Sequence, residues 1–119
     1  MKKTVVLGAS ENPSRYSYLA TTRLRAHNHP VVAIGNKEGM IGDMPITKEH
    51  PAMDDVDTVT LYLNPTNQKP YYDYILSLKP KRVIFNPGTE NPELERMIEG
   101  QGGDAIEACT LVMLSTGQY

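Results

Sequence analysis

The sequence predicts one α/β domain: an open, doubly wound parallel sheet of five strands with helices on both faces. Three observations predict it. Short β-branched apolar runs alternate with segments of helical periodicity along the whole 119-residue chain. The first run, the helical segment after it and the second run fit within about thirty residues, the size of a right-handed crossover that leaves its two strands parallel and adjacent. The apolar runs give way to Gly, Asn, Pro or Ser, the residues of tight turns.

Each element follows from its residues. Thr4-Val5-Val6-Leu7 is a buried strand that stops at Gly8-Ala9-Ser10. Asn12-Pro13-Ser14 offers helix-starting residues, and Tyr16, Ala20 and Leu24 recur at four-residue spacing, predicting a helix to His27 that Asn28-His29-Pro30 breaks. Val31-Val32-Ala33-Ile34 is the second strand. Residues Gly35 to Asp57 hold glycines, prolines and charges and read as a long surface loop, with short extended pieces near Pro45-Ile46 and a turn at Met53. Thr58 to Leu63 is the third strand. Asn64-Pro65-Thr66-Asn67 leads into a helix that has Pro70 in its first turn, carries Tyr71, Tyr74, Ile75 and Leu78, and stops at Lys79-Pro80. Arg82-Val83-Ile84-Phe85 is the fourth strand. Asn91-Pro92 caps a helix with Leu94, Met97 and Ile98 on one face, ended by Gly100 to Gly103, and Ala105 to Ala108 is the fifth strand. The strand order expected is 3-2-1-4-5.

Composition narrows the function. Hydrophobic residues make up 39% and charged residues 22% of the chain, enough for a modest, mainly aliphatic core. Twelve Lys and Arg against fourteen Asp and Glu give a net charge of -2, without the basic excess of a nucleic-acid groove. Cys109 is the single cysteine, so no internal disulfide forms, and no leader or bilayer-spanning run is seen. The expectation is a soluble cytoplasmic protein with no nucleic-acid or membrane partner.

In an open parallel sheet the ligand crevice lies beyond the carboxyl ends of the strands. The residues there are Gly8-Ala9-Ser10, Gly35-Asn36-Lys37, Asn64-Pro65, Asn86-Pro87-Gly88 and Cys109. Gly8 lets backbone approach a ligand, and the amides and hydroxyl of Ser10, expected at a helix start, suit a phosphate; Gly8 serves equally as a plain strand-to-helix turn. The dinucleotide fingerprint is incomplete, with Ser10 at its second glycine and Pro13 at its third. An acidic residue that would receive ribose hydroxyls is missing from the second-strand corner, where Lys37 stands as a cation for an extra phosphate or as a solvated loop lysine. His27, His29 and His50 show no metal-ligand spacing, Ser10 has no hydrolase elbow, and Asp54-Asp55-Val56-Asp57 reads as a solvated turn. Tyr71, Tyr72 and Tyr74 either line a nucleotide or cover the sheet, and no catalytic set emerges.

The segments Val5 to Pro13, Leu61 to Pro65 and Glu107 to Met113 together resemble the stand-alone coenzyme A-binding domain family, over nearly the whole chain. The resemblance extends to the amino-terminal domain of the succinyl-CoA synthetase alpha subunit. It implies a Rossmann-like fold that holds coenzyme A (CoA) or acyl-CoA at the strand carboxyl ends. It also implies a phosphate turn at Gly8, Ala9 and Ser10 followed by the basic Arg15, and an adenosine corner at Ile34, Asn36 and Lys37. Asn64 and Pro65 would pack beside the nucleotide, and Asn86, Pro87 and Gly88 would lie toward the pantetheine. Family members often carry Asn-Pro where this chain has Gly35-Asn36. The synthetases need a second domain and a partner subunit, so ligase activity is not implied. The alternatives are an NAD(P)-dependent oxidoreductase and a nucleotide-sensing interaction module. Cys109 is either a small packed hydrophobe or a neighbour of the ligand's thiol.

Overall fold

A computed structural model describes all 119 residues. Its core is a stack of short parallel strands: β1 (Thr4–Leu7), β2 (Val31–Ile34), β5 (Thr58–Leu61), β6 (Arg82–Phe85) and β7 (Asp104–Glu107). Between β2 and β5 lie two more strands, β3 (Gly39–Ile41) and β4 (Met44–Thr47). The seven strands run in the order β3-β4-β2-β1-β5-β6-β7, all parallel except the β3–β4 pair.

This corrects the sequence expectation in two ways. The sheet has seven strands rather than five, because the segment read as a long loop folds into a hairpin turning at Gly42-Asp43, the glycine-first turn that suits strand twist. Only Met40, Ile41, Met44 and Ile46 are apolar there, too few and too interrupted by Gly39 and Pro45 to register as strands. The strand at 58–61 also pairs with β1 and not outside β2. The place beyond β2 belongs to β4, so the six parallel strands taken alone follow the Rossmann order 3-2-1-4-5-6.

Both faces are covered. Val5, Leu7, Val59, Leu61, Val83 and Phe85 point to one face, where α3 (Tyr72–Leu78) and α4 (Pro92–Gly100) bury Ile75, Leu78, Leu94 and Ile98. Val6, Ala33 and Ile46 point to the other, under Leu24 of α1 (Tyr16–Ala26) and Leu114 of α5 (Thr110–Ser115). Helix α1 begins at Tyr16 rather than at Asn12, because Asn12 Oδ1 accepts from the Ser14 amide and spends the Asn-Pro-Ser segment on a turn. The single helix expected after Asn64 is broken. Residues Pro65–Gln68 form α2, Lys69–Tyr71 a 3-10 turn carrying Pro70, and α3 follows. Proline removes an amide donor, which explains the break. Asn91 caps α4 as expected, accepting from the Leu94 amide.

One buried side chain fixes the far half of the sheet's carboxyl edge. Asn86, 3% exposed, donates through Nδ2 to Thr60 Oγ1 (2.7 Å) and to the Leu61 carbonyl (2.8 Å). Its Oδ1 accepts from the Thr110 amide at 2.9 Å, so β5, β6 and the start of α5 hang on one amide group. Replacing it leaves at least the Thr110 amide buried without an acceptor, at about 1–3 kcal/mol per orphaned group. Asn86→Ala is expected to lower stability by about 3 kcal/mol in urea unfolding, against about 1 kcal/mol for Asn64→Ala, which removes only the exposed cap of α2. Equal losses would show that Asn86 is not the clamp.

Candidate functional site

The strand registers align Ile34, Leu7, Leu61, Phe85 and Glu107 in one row. The chain therefore leaves β2, β1, β5, β6 and β7 side by side. Four strand spacings of about 4.8 Å make that row roughly 19 Å long. A cleft of about 520 Å³ runs over its near half, between the β2 corner and the β6 turn. A second cavity of about 260 Å³ continues toward β7, sharing Tyr16, Tyr62 and Pro87 with the first.

The near end carries unpaired positive charge. Arg15 and Lys37 line it, and neither is among the molecule's ion pairs, which join Lys3 to Asp55, Arg25 to Asp43 and Arg82 to Asp57. No carboxylate lines the cleft. Helix α1 opens into it with no acidic residue in its first turn and no side-chain cap, so the Tyr16 and Ser17 amides have no acceptor within the protein. Free amides at the positive end of an eleven-residue helix are a ready seat for phosphate. Two glycines let the walls close to this spacing. Gly8 has φ +97°, and a Cβ there would meet Leu63 at 3.1 Å. A Cβ on Gly35 would meet the Ala9 carbonyl oxygen at 2.5 Å, so only glycine fits there.

The cleft and its continuation bring together nine of the thirteen residues singled out from sequence: Gly8, Ala9, Ser10, Arg15, Asn36 and Lys37 at the near end, with Asn86, Pro87 and Cys109 beyond. The other four stand apart. Ile34 is fully buried in the core, and its carbonyl accepts from both the Gly8 and Ala9 amides at 2.9 Å, which ties those amides to β2 instead of presenting them to a ligand. Asn64 caps α2, Pro65 is its first residue, and Gly88 donates its amide to Glu90 on an exposed turn. Ser10 lies six residues before the helix it was expected to start, and its hydroxyl accepts from the Asn12 amide. Sequence reading missed Tyr16, Ser17, Tyr62, Leu63 and Thr89 as lining residues. Placing the helix start at Tyr16 would have found the first two. Tyr71 lines the cleft, while Tyr74 is buried against the sheet and Tyr72 donates to Glu93. No group of three or more potential metal ligands assembles, and no helix is long and apolar enough to cross a membrane.

A second polar network braces the turns. Gln68 is fully buried and donates to the carbonyls of Leu63 and Thr89, both at 2.8 Å, while its Oε1 accepts from Asn91. It locks the β5 and β6 turns together, so the cleft floor is rigid. Tyr62, on the wall shared by both cavities, is different. Its hydroxyl is buried beside Thr60 and Thr110, whose own hydroxyls bond each other at 2.8 Å, and it makes no well-formed hydrogen bond. Burial pushes its phenol up to about 12. The folded state thus holds the Tyr62 proton more tightly than the unfolded chain, where a tyrosine titrates near 10. That contribution to stability is complete below about pH 10 and is lost as pH rises toward 12. In a spectrophotometric titration, Tyr62→Phe is expected to remove a component near pH 12 and to soften the alkaline loss of stability. An unchanged profile would place the late-titrating phenol elsewhere.

The comparisons with known proteins agree with this geometry. A protein of unassigned function with a crystal structure is 54% identical, superimposes with a TM-score of 0.97, and is matched over 100% of this chain and 98% of its own. A hypothetical protein from Pyrococcus horikoshii OT3 is 20% identical with a TM-score of 0.87, over 97% of this chain and 82% of that one. A protein from Thermus thermophilus is also 20% identical, with a TM-score of 0.85, over 99% of this chain and 90% of that one. The last two show the fold alone. No curated protein matches the chain. Residues 2–115 match the CoA-binding domain family, and the chain belongs to that family.

Proposed function

We propose that this protein binds CoA or an acyl-CoA along the carboxyl edge of its sheet and holds the cofactor without chemistry of its own. The observation that carries the reading is the polarity of the row. Two unpaired cations and the open amides of α1 stand at the β2–β1 end, and an apolar cavity lies toward β7. CoA has the same polarity, a triply phosphorylated adenosine at one end and a neutral pantetheine thiol at the other. Lys37 is assigned to the 3′-phosphate and the Tyr16 and Ser17 amides to the diphosphate. The absence of a carboxylate from the cleft lining disfavours NAD, whose adenosine ribose is usually held by an acid at this corner. Cys109 is unpaired, which suits a reducing compartment such as the cytoplasm.

Calorimetric titration tests the assignment. CoA is expected to bind saturably and more tightly than dephospho-CoA or NAD. Lys37→Ala is expected to weaken CoA about tenfold, equivalent to about 1.5 kcal/mol for one charge-assisted contact, while leaving dephospho-CoA nearly unchanged. Equal binding of NAD and CoA would overturn the reading, and equal losses for CoA and dephospho-CoA would move Lys37 from the 3′-phosphate to the diphosphate.

A further inference from the structure

The 260 Å³ cavity at the β6–β7 end is lined by Tyr16, Tyr62, Asn86, Pro87, Cys109 and Leu111. None of the six is an Asp, Glu, Lys, Arg or His. Asn86, the only amide side chain among them, has both ends of that amide committed to Thr60, Leu61 and Thr110 and offers nothing to an occupant. The wall it shares with the cleft is Tyr16, Tyr62 and Pro87, and the Tyr16 side stands 70% exposed with no aromatic partner. An apolar cavity that shares a wall with a cationic cleft calls for a ligand that is charged at one end and apolar at the other.

Resting on the CoA reading above, we infer that this cavity receives a short, uncharged acyl group, so that the preferred ligand is a short-chain acyl-CoA rather than free CoA. Its size sets the length. At roughly the 30 Å³ that a water molecule occupies in the liquid, the cavity holds about nine non-hydrogen atoms. A butyryl thioester, counted from the last two methylenes of the cofactor arm to its methyl carbon, fills about that number. A succinyl group would place a carboxylate among side chains that cannot pair with it, which is costly. A fatty chain would leave most of its length in water.

The test is a calorimetric series with CoA, acetyl-, butyryl-, octanoyl- and succinyl-CoA on the intact protein. Burying a methylene strengthens binding roughly fourfold, so butyryl-CoA is expected to bind at least tenfold more tightly than acetyl-CoA. Octanoyl-CoA is expected to gain little beyond butyryl-CoA, and succinyl-CoA to bind at least tenfold more weakly than it. Leu111→Gln is expected to shrink the ratio of butyryl- to CoA affinity measured within the same protein, and Leu111→Ala to move the optimum to a longer chain. Melting curves of both variants check that they fold. Equal affinities across the series, with CoA itself bound, would overturn the acyl assignment and leave the CoA reading intact. Absence of binding by every member would overturn both.

Discussion

The flush register of the parallel strands is the constraint on which everything else depends. Ile34, Leu7, Leu61, Phe85 and Glu107 finish their strands in one row, so turns far apart in sequence emerge as neighbours. A slip of one residue in any pair would exchange the side chains fitted to α3 and α4 with those fitted to α1 and α5, and the tight burial on both faces of β1 opposes it. Strand order then decides what lies beside what. The cationic corner after β2 sits next to the opening of α1 after β1, and the apolar cavity lies beyond them toward β7.

Around the cleft, the buried Tyr62 hydroxyl aside, polar groups either brace the turns or lie open. Asn86 and Gln68 are buried and fully engaged, the first joining β5, β6 and α5, the second joining the turns after β5 and β6. Even the Gly8 and Ala9 amides are spent on the Ile34 carbonyl. Open at the cleft are the guanidinium of Arg15, the ammonium of Lys37 and the first amides of α1. A site assembled this way is preorganised, since ligand contacts displace no internal hydrogen bond.

Much of this was legible in the sequence, and the exceptions have physical causes. The five long-range strands were readable because buried parallel strands are continuous apolar runs such as Thr4 to Leu7 and Arg82 to Phe85. The β3–β4 hairpin was legible only as short extended pieces near Pro45-Ile46, because an edge ribbon buries little and Ile41 and Ile46 are its only deeply buried side chains. Leaving those pieces out of the sheet displaced the strand at Thr58 to the wrong side of β1. The candidate cleft was legible as strand-end turns, but the phosphate turn expected at Gly8-Ala9-Ser10 rested on a helix beginning near Asn12. Asn12 instead caps a turn, and the available amides move to Tyr16 and Ser17. Asn86 was singled out as a ligand contact by its position, and its side chain is a structural clamp whose partners, Thr60 and Thr110, no local pattern announces.

The proposed ligand lies extended along the carboxyl edge from β2 to β7. Amide chemical-shift mapping of the isotopically labelled protein during CoA titration tests it most directly. The perturbed amides are expected to fall in the turns after β2, β1, β5, β6 and β7, from Asn36 and Lys37 through Tyr16 and Ser17 to Cys109 and Leu111. Shifts concentrated instead at the opposite edge, around Lys79, Lys81 and Gly102, would contradict it.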